Sequence, residues 1–135
     1  MGRNQLKMEL VFAGGKRVEA RWDAMVVATD QSPAHGGSGS APEPFMLFLA
    51  SLGTCTAAYV QGFCEARAID HTRIKMTEII DYDETGKVTS ITVQIHLPED
   101  FPEKYIRTIE RVANGCAVKK AIMSPPQITI RATKD

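Results

Sequence analysis

The chain has no surplus of charge of either sign: its 135 residues carry 16 Lys plus Arg against 16 Asp plus Glu. Nucleic-acid binding needs basic residues concentrated on one face, so that partner is argued against, and an acidic tail equally. Cysteine is scarce. Cys55, Cys64 and Cys116 are an odd number with no CxxC and no adjacent histidine pair, which removes both a secreted disulfide framework and a zinc site. The three histidines, His35, His71 and His96, fall on a loop, a helix exit and an outward strand position, so no metal constellation follows. The segment GGSGS before a helix lacks both the GxGxxG spacing and the lysine of a phosphate-binding loop. The first residues, MGRNQLKMELVF, alternate instead of forming the apolar run of about 7 to 15 residues that marks a secretory leader, which predicts a cytoplasmic protein. No internal repeat or low-complexity tract occurs.

What is present is ordinary for one globular domain spanning residues 1–135, with 44% hydrophobic and 24% charged residues. A chain of this size buries roughly two thirds of its unfolded surface, enough to fold without staples. The longest uncharged stretch, PFMLFLASLGTCTAAYVQGFC, approaches the length of a membrane span. Its Ser, Thr, Gln and Gly residues, and flanks without a Lys/Arg cluster, favour a core helix instead.

Alternation in residues 5–12 and 17–29 around Gly14-Gly15 predicts a hairpin of two strands. DQSPAHGGSGS is loop, and Ser40 with Glu43 three residues on fits a capping box, Pro42 lying in the first turn. A helix then runs to about Arg67. At 100° per residue its core stripe is Phe45, Phe48, Leu49, Leu52, Thr56, Tyr59 and Phe63. Residues 73–82 and 87–97 are further strands, the second with Val93, Ile95 and Leu97 inward and Thr92, Gln94 and His96 outward. A helix over 102–113 buries Tyr105, Ile106, Ile109, Val112 and Ala113, a short helix covers 116–123, and QITIRA closes the chain as a last strand. The order defines an α+β fold with a mainly antiparallel sheet.

The thiols differ by position. Cys55 and Cys64 are nine residues apart, about 180° of rotation and about 13 Å of rise, so they cannot bridge within one helix. Cys55 borders the apolar face as a half-accessible thiol. Cys64 reads as a small buried hydrophobe. Cys116 opens a short helix bearing Lys119 and Lys120, where a helix terminus and positive charge favour thiolate, though a structural role fits equally well. No helix neighbour of Cys55 is charged, so its activation must come from another element. Arg17 or Arg21 is available for this, held in place by Glu43.

EPFMLFLASLGTCTAAYVQGFCEARAI, followed about 60 residues later by a second cysteine in ERVANGCAVKKAI, closely resembles the OsmC and organic hydroperoxide resistance (Ohr) family over nearly the whole chain. The resemblance implies antiparallel sheets around a long central helix in an intertwined homodimer. It also implies a thiol peroxidase reducing organic hydroperoxides without metal or organic cofactor. On that pattern Cys55 is the peroxidatic residue and Cys116 resolves its sulfenic acid as a disulfide, which a small thiol or a dithiol protein such as a lipoyl protein reduces. The family's carboxylate nine or ten residues before the first cysteine is replaced here by Met46 and Phe45, and Ala117 stands where proline commonly follows the second. The chain is thus closer to the general OsmC-like branch, with Arg17 and Glu43 as the candidate arginine and carboxylate. A rival from another class is a non-catalytic OsmC-like dimer that binds a small apolar ligand at its interface.

Overall fold

The computed structural model of the protein describes residues 4–134. Its elements are β1 (Glu9–Phe12), β2 (Val18–Trp22), β3 (Met25–Thr29), α1 (Pro44–Glu65), β4 (Lys75–Tyr82), β5 (Val88–His96), α2 (Ile106–Asn114) and α3 (Ala117–Met123), with single 3-10 turns at Pro33–His35, His71–Arg73 and Glu103–Tyr105. This is the α+β arrangement of antiparallel sheets and a long central helix. Contacts divide the chain into two compact units, one ending at Ala50 and the other beginning at Ser51.

The first unit holds a three-stranded antiparallel meander, β1-β2-β3. Residues 17–29, expected as one strand, are two: the chain reverses at Asp23 (φ 49°), so that Trp22 faces Met25 and Ala20 faces Val27. Aspartate is among the few side chains that enter the left-handed region readily, and no Gly, Pro or Asn marked this turn.

Residues 30–43 are organised by Asp30, which is 1% exposed. Its carboxylate accepts from Ser40 Oγ (2.7 Å), Ser40 N (3.0 Å), Ser38 Oγ (2.8 Å) and Gln31 N (2.7 Å). Those donors, led by Ser40, hold its pKa far below the ordinary carboxylate range. Gly37 packs so tightly here that a Cβ would overlap the Gln31 carbonyl and lie 2.8 Å from Asp30 Oδ1. The expected capping box does not form, because Ser40 is committed to Asp30. The helix begins at Pro44, with Leu47 N donating to the Glu43 carbonyl (3.1 Å).

In the second unit β4 and β5 pair antiparallel from Lys75↔His96 to Tyr82↔Val88. Ile91, Val93 and Ile95 are half-buried while Thr92, Gln94 and His96 are exposed, the alternation expected. The core joins Val60, Phe63 and Cys64 of α1 to Phe101, Ile109 and Ala113, with Ile74, Met76 and Leu97 packed against them. The buried stripe of α1 is therefore rotated from the expected one: Leu49, Thr56, Val60, Phe63 and Cys64 are buried, whereas Phe45, Phe48 and Tyr59 are 56%, 45% and 38% exposed. Leu49, Thr56 and Phe63 of the expected stripe are buried; the core face extends from them to Val60 and Cys64, leaving Phe45, Phe48 and Tyr59 on the exposed flank. By length and composition α1 would suffice to cross a bilayer.

Residues 127–132 form no strand; nothing among the described residues pairs with them, and Ile128 and Ile130 are 76% and 94% exposed. A strand exists only as a ladder with a neighbour, and alternation alone does not supply one.

Candidate active site: a hydrogen-bonded thiol pair

α1 carries Cys55 and Thr56 in its middle turns, and Cys116 is the N-cap of α3, directly after the Asn114-Gly115 stop of α2. The packing brings the two distant thiols together: Cys116 accepts a hydrogen bond from Cys55. Cys116 is fully buried, Cys55 is half-buried, and neither is in a disulfide.

Three further donors converge on the Cys116 sulfur. The Lys119 backbone N–H lies at 3.4 Å, the Thr56 hydroxyl at 3.6 Å, and the Val118 N–H adds a third. Burial alone pushes this thiol up; the bonds from Lys119, Thr56, Cys55 and Val118 together outweigh it, and the pKa of Cys116 lies below that of an ordinary cysteine. Cys64 is the contrast. It is equally buried, but desolvation dominates over the Arg67 charge and its pKa is raised, as suits a core residue.

The other two candidate residues lie in the first unit and have local partners. Arg17 meets Glu19 Oε2 at 3.5 Å. The Glu43 carboxylate accepts from His35 Nδ1 (2.6 Å) and Ser32 N (3.2 Å), and these bonds lower its pKa. The expected Arg17–Glu43 pair is not formed among the described residues, because the 3-10 turn at Pro33–His35 presents His35 and Ser32 to Glu43.

Two features escaped sequence reading. The first is Thr56, 6% exposed, read there only as part of an apolar stripe. The second is Glu78 of β4, whose side chain faces α1 at Gly53: Glu78 accepts from the Gly53 N–H, burial raises its pKa, and its Oε2 is buried without a partner. The signal for it was a carboxylate on the apolar side of a strand, between Met76 and Ile80. A cavity of about 900 Å³ is lined by Thr56 together with apolar residues such as Leu52, Val93 and Ile109 and polar ones such as Gln94 and Lys119; neither thiol is part of its lining.

This fold recurs in solved structures. A Psychrobacter arcticus 273-4 protein named for osmotic-stress induction and detoxification response is similar at TM-score 0.69 and 19% identity, covering 89% of this chain and 90% of that one. An OsmC-like protein of Mycoplasma pneumoniae matches at 0.69 and 16%, covering 90% and 89%. An organic hydroperoxide resistance protein OsmC of Legionella pneumophila matches at 0.59 and 17%, covering 90% and 91%. No curated protein matches the chain. These likenesses define the class, an α+β fold of the OsmC type. The family model described as OsmC-like protein matches residues 37–131, and the chain belongs to that family.

Proposed function

We propose that the protein is a thiol peroxidase that reduces organic hydroperoxides. The observation that carries this is the contact between Cys55 and Cys116, with a half-exposed sulfur bonded to a buried one. The donors around Cys116 favour its thiolate form, which can accept the Cys55 proton. As Cys55 reacts, its proton passes to Cys116, and the freed Cys55 thiolate attacks the terminal oxygen of ROOH. The O–O bond breaks, Cys55 becomes a sulfenic acid, and the alkoxide takes a proton from water to leave as ROH. Cys116 then attacks the Cys55 sulfur while its proton goes to the departing hydroxide, which leaves as water, and a disulfide remains. A small thiol or a dithiol protein such as a lipoyl protein returns the pair to thiols by exchange. The apolar part of the cavity lined by Thr56, with Leu52, Val93 and Ile109, suits an oily peroxide, and a cytoplasmic homodimer is the form in which we expect it to act. No step calls for a metal or organic cofactor. These steps use neither Arg17 nor Glu43, whose partners in the first unit are Glu19 and His35.

The test is peroxide consumption with mass spectrometry. One equivalent of cumene hydroperoxide should consume two thiols per chain and link Cys55 to Cys116. Cys55→Ser should lower the rate at least about 10³-fold, the scale on which nucleophile loss acts, whereas Cys64→Ser should leave it unchanged. A Cys55→Ser protein as fast as wild type would overturn the assignment and leave the rival, an OsmC-like protein binding an apolar ligand.

A further inference from the structure

The Thr56 hydroxyl has two acceptors and one proton. Its Oγ1 is 2.7 Å from the Leu52 carbonyl oxygen one turn back, and 3.6 Å from Cys116 Sγ. With one hydrogen to give, it serves one of them well at a time, while its lone pairs can accept from a thiol. When Cys116 carries its proton, the arrangement satisfying every group has Cys116 S–H donating to Thr56 and Thr56 donating to Leu52, an ordinary i to i−4 bond. When Cys116 is a thiolate it can only accept, and the hydroxyl must turn toward it. The Leu52 carbonyl loses little, being a helical acceptor in any case.

We propose that Thr56 is a positioning residue for Cys116, a hydroxyl rotor that points to Leu52 while Cys116 is a thiol and to the sulfur when it is a thiolate. The site is built for this. Thr56 is buried, its Cβ is fixed on α1, and the backbone N–H groups of Lys119 and Val118 hold the sulfur from the other side. The other titratable groups here are Cys55, which donates to Cys116, and Lys119, whose ammonium is bonded to Asn114 Oδ1. The consequence for catalysis rests on the peroxidase reading: without the hydroxyl, less of Cys116 stands as thiolate, so fewer molecules are ready to take the Cys55 proton or to resolve the sulfenic acid.

Titration of ¹³Cβ-labelled cysteine by NMR reads Cys116 without peroxide. Thr56→Val keeps the shape and removes the hydroxyl; the Cys116 midpoint should rise by about one pH unit, roughly a tenfold smaller thiolate fraction at a given pH. Thr56→Ser should restore it. In the wild-type protein the Leu52 carbonyl ¹³C resonance should move with the Cys116 midpoint as the hydroxyl leaves it. An unchanged midpoint in Thr56→Val, no restoration in Thr56→Ser, or a Leu52 carbonyl that stays fixed through the Cys116 titration overturns the proposal; the last needs no variant to fold. Stopped-flow oxidation then separates the two ideas. A protein that passes the NMR tests but consumes no hydroperoxide keeps the rotor and loses the peroxidase.

Discussion

Single side chains set the chemistry through what they lack as much as through what they hold. Cys64 and Cys116 are both fully buried, yet their pKa values move in opposite directions, because only Cys116 meets four donors. Glu78 is the acidic counterpart of Cys64. One oxygen takes the Gly53 N–H and the other has no partner, so burial favours the neutral carboxyl. A carboxyl whose folded pKa is raised contributes stability fully present below the ordinary glutamate range and lost as pH rises through the folded value. Glu78→Gln keeps a neutral side chain of the same size. We expect the variant to match wild type near pH 4 and to become the more stable of the two by pH 7, as read by urea midpoints at four pH values. Parallel midpoint curves for the two proteins would mean that Glu78 is fully solvated when ionised.

Elements were legible where periodicity and burial agree. β5 alternates cleanly because one of its faces meets the core, and α2 buries the residues its 3.6 period picks out. Legibility failed where a non-local partner decides. The β2–β3 turn uses an aspartate in a glycine-like conformation, Ser40 is diverted from capping by a buried Asp30, and α1 turns Val60 and Cys64 to the core in place of Phe45, Phe48 and Tyr59. The thiol pair was legible through resemblance alone, since no local pattern joins residues 55 and 116. The packing of α1 on β4 explains why Gly53 stands mid-helix despite its poor helix propensity: a Cβ there would overlap Glu78 Oε1. Gly53→Ala should therefore gain up to about 1 kcal/mol of helix propensity only if Glu78 is out of the way. With Glu78 present the carboxyl must swing aside and lose its bond to Gly53. A double-mutant cycle with Glu78→Ala should give a coupling of about 1–2 kcal/mol, with Gly53→Ala destabilising in the wild-type background and neutral or stabilising beside Glu78→Ala. Additive effects would mean that the close approach has no energetic weight.

At the scale of the whole molecule, the single chain leaves apolar surface bare. Leu10 and Phe12 of β1 are 71% and 91% exposed, Met25 and Val26 of β3 are 57% and 56%, and Ile128 and Ile130 beyond α3 are 76% and 94%. Residues 127–132 also alternate like a strand and have no ladder among the described residues, and strand-like segments with bare edges are templates for pairing with another chain. A second copy would supply both apolar cover and a sheet edge, so we expect a homodimer in solution. Light scattering should then give twice the 14.8 kDa chain mass. Replacing Ile128 and Ile130 together by Asp should shift the protein toward monomer at micromolar concentration, since each buried isoleucine contributes about 1.5–3 kcal/mol and an aspartate in its place must be desolvated. Because the Cys55–Cys116 contact is made within one chain, the monomeric variant should still close that disulfide when oxidised. A wild-type protein that scatters as 14.8 kDa at all concentrations would instead assign the exposed isoleucines to a different partner.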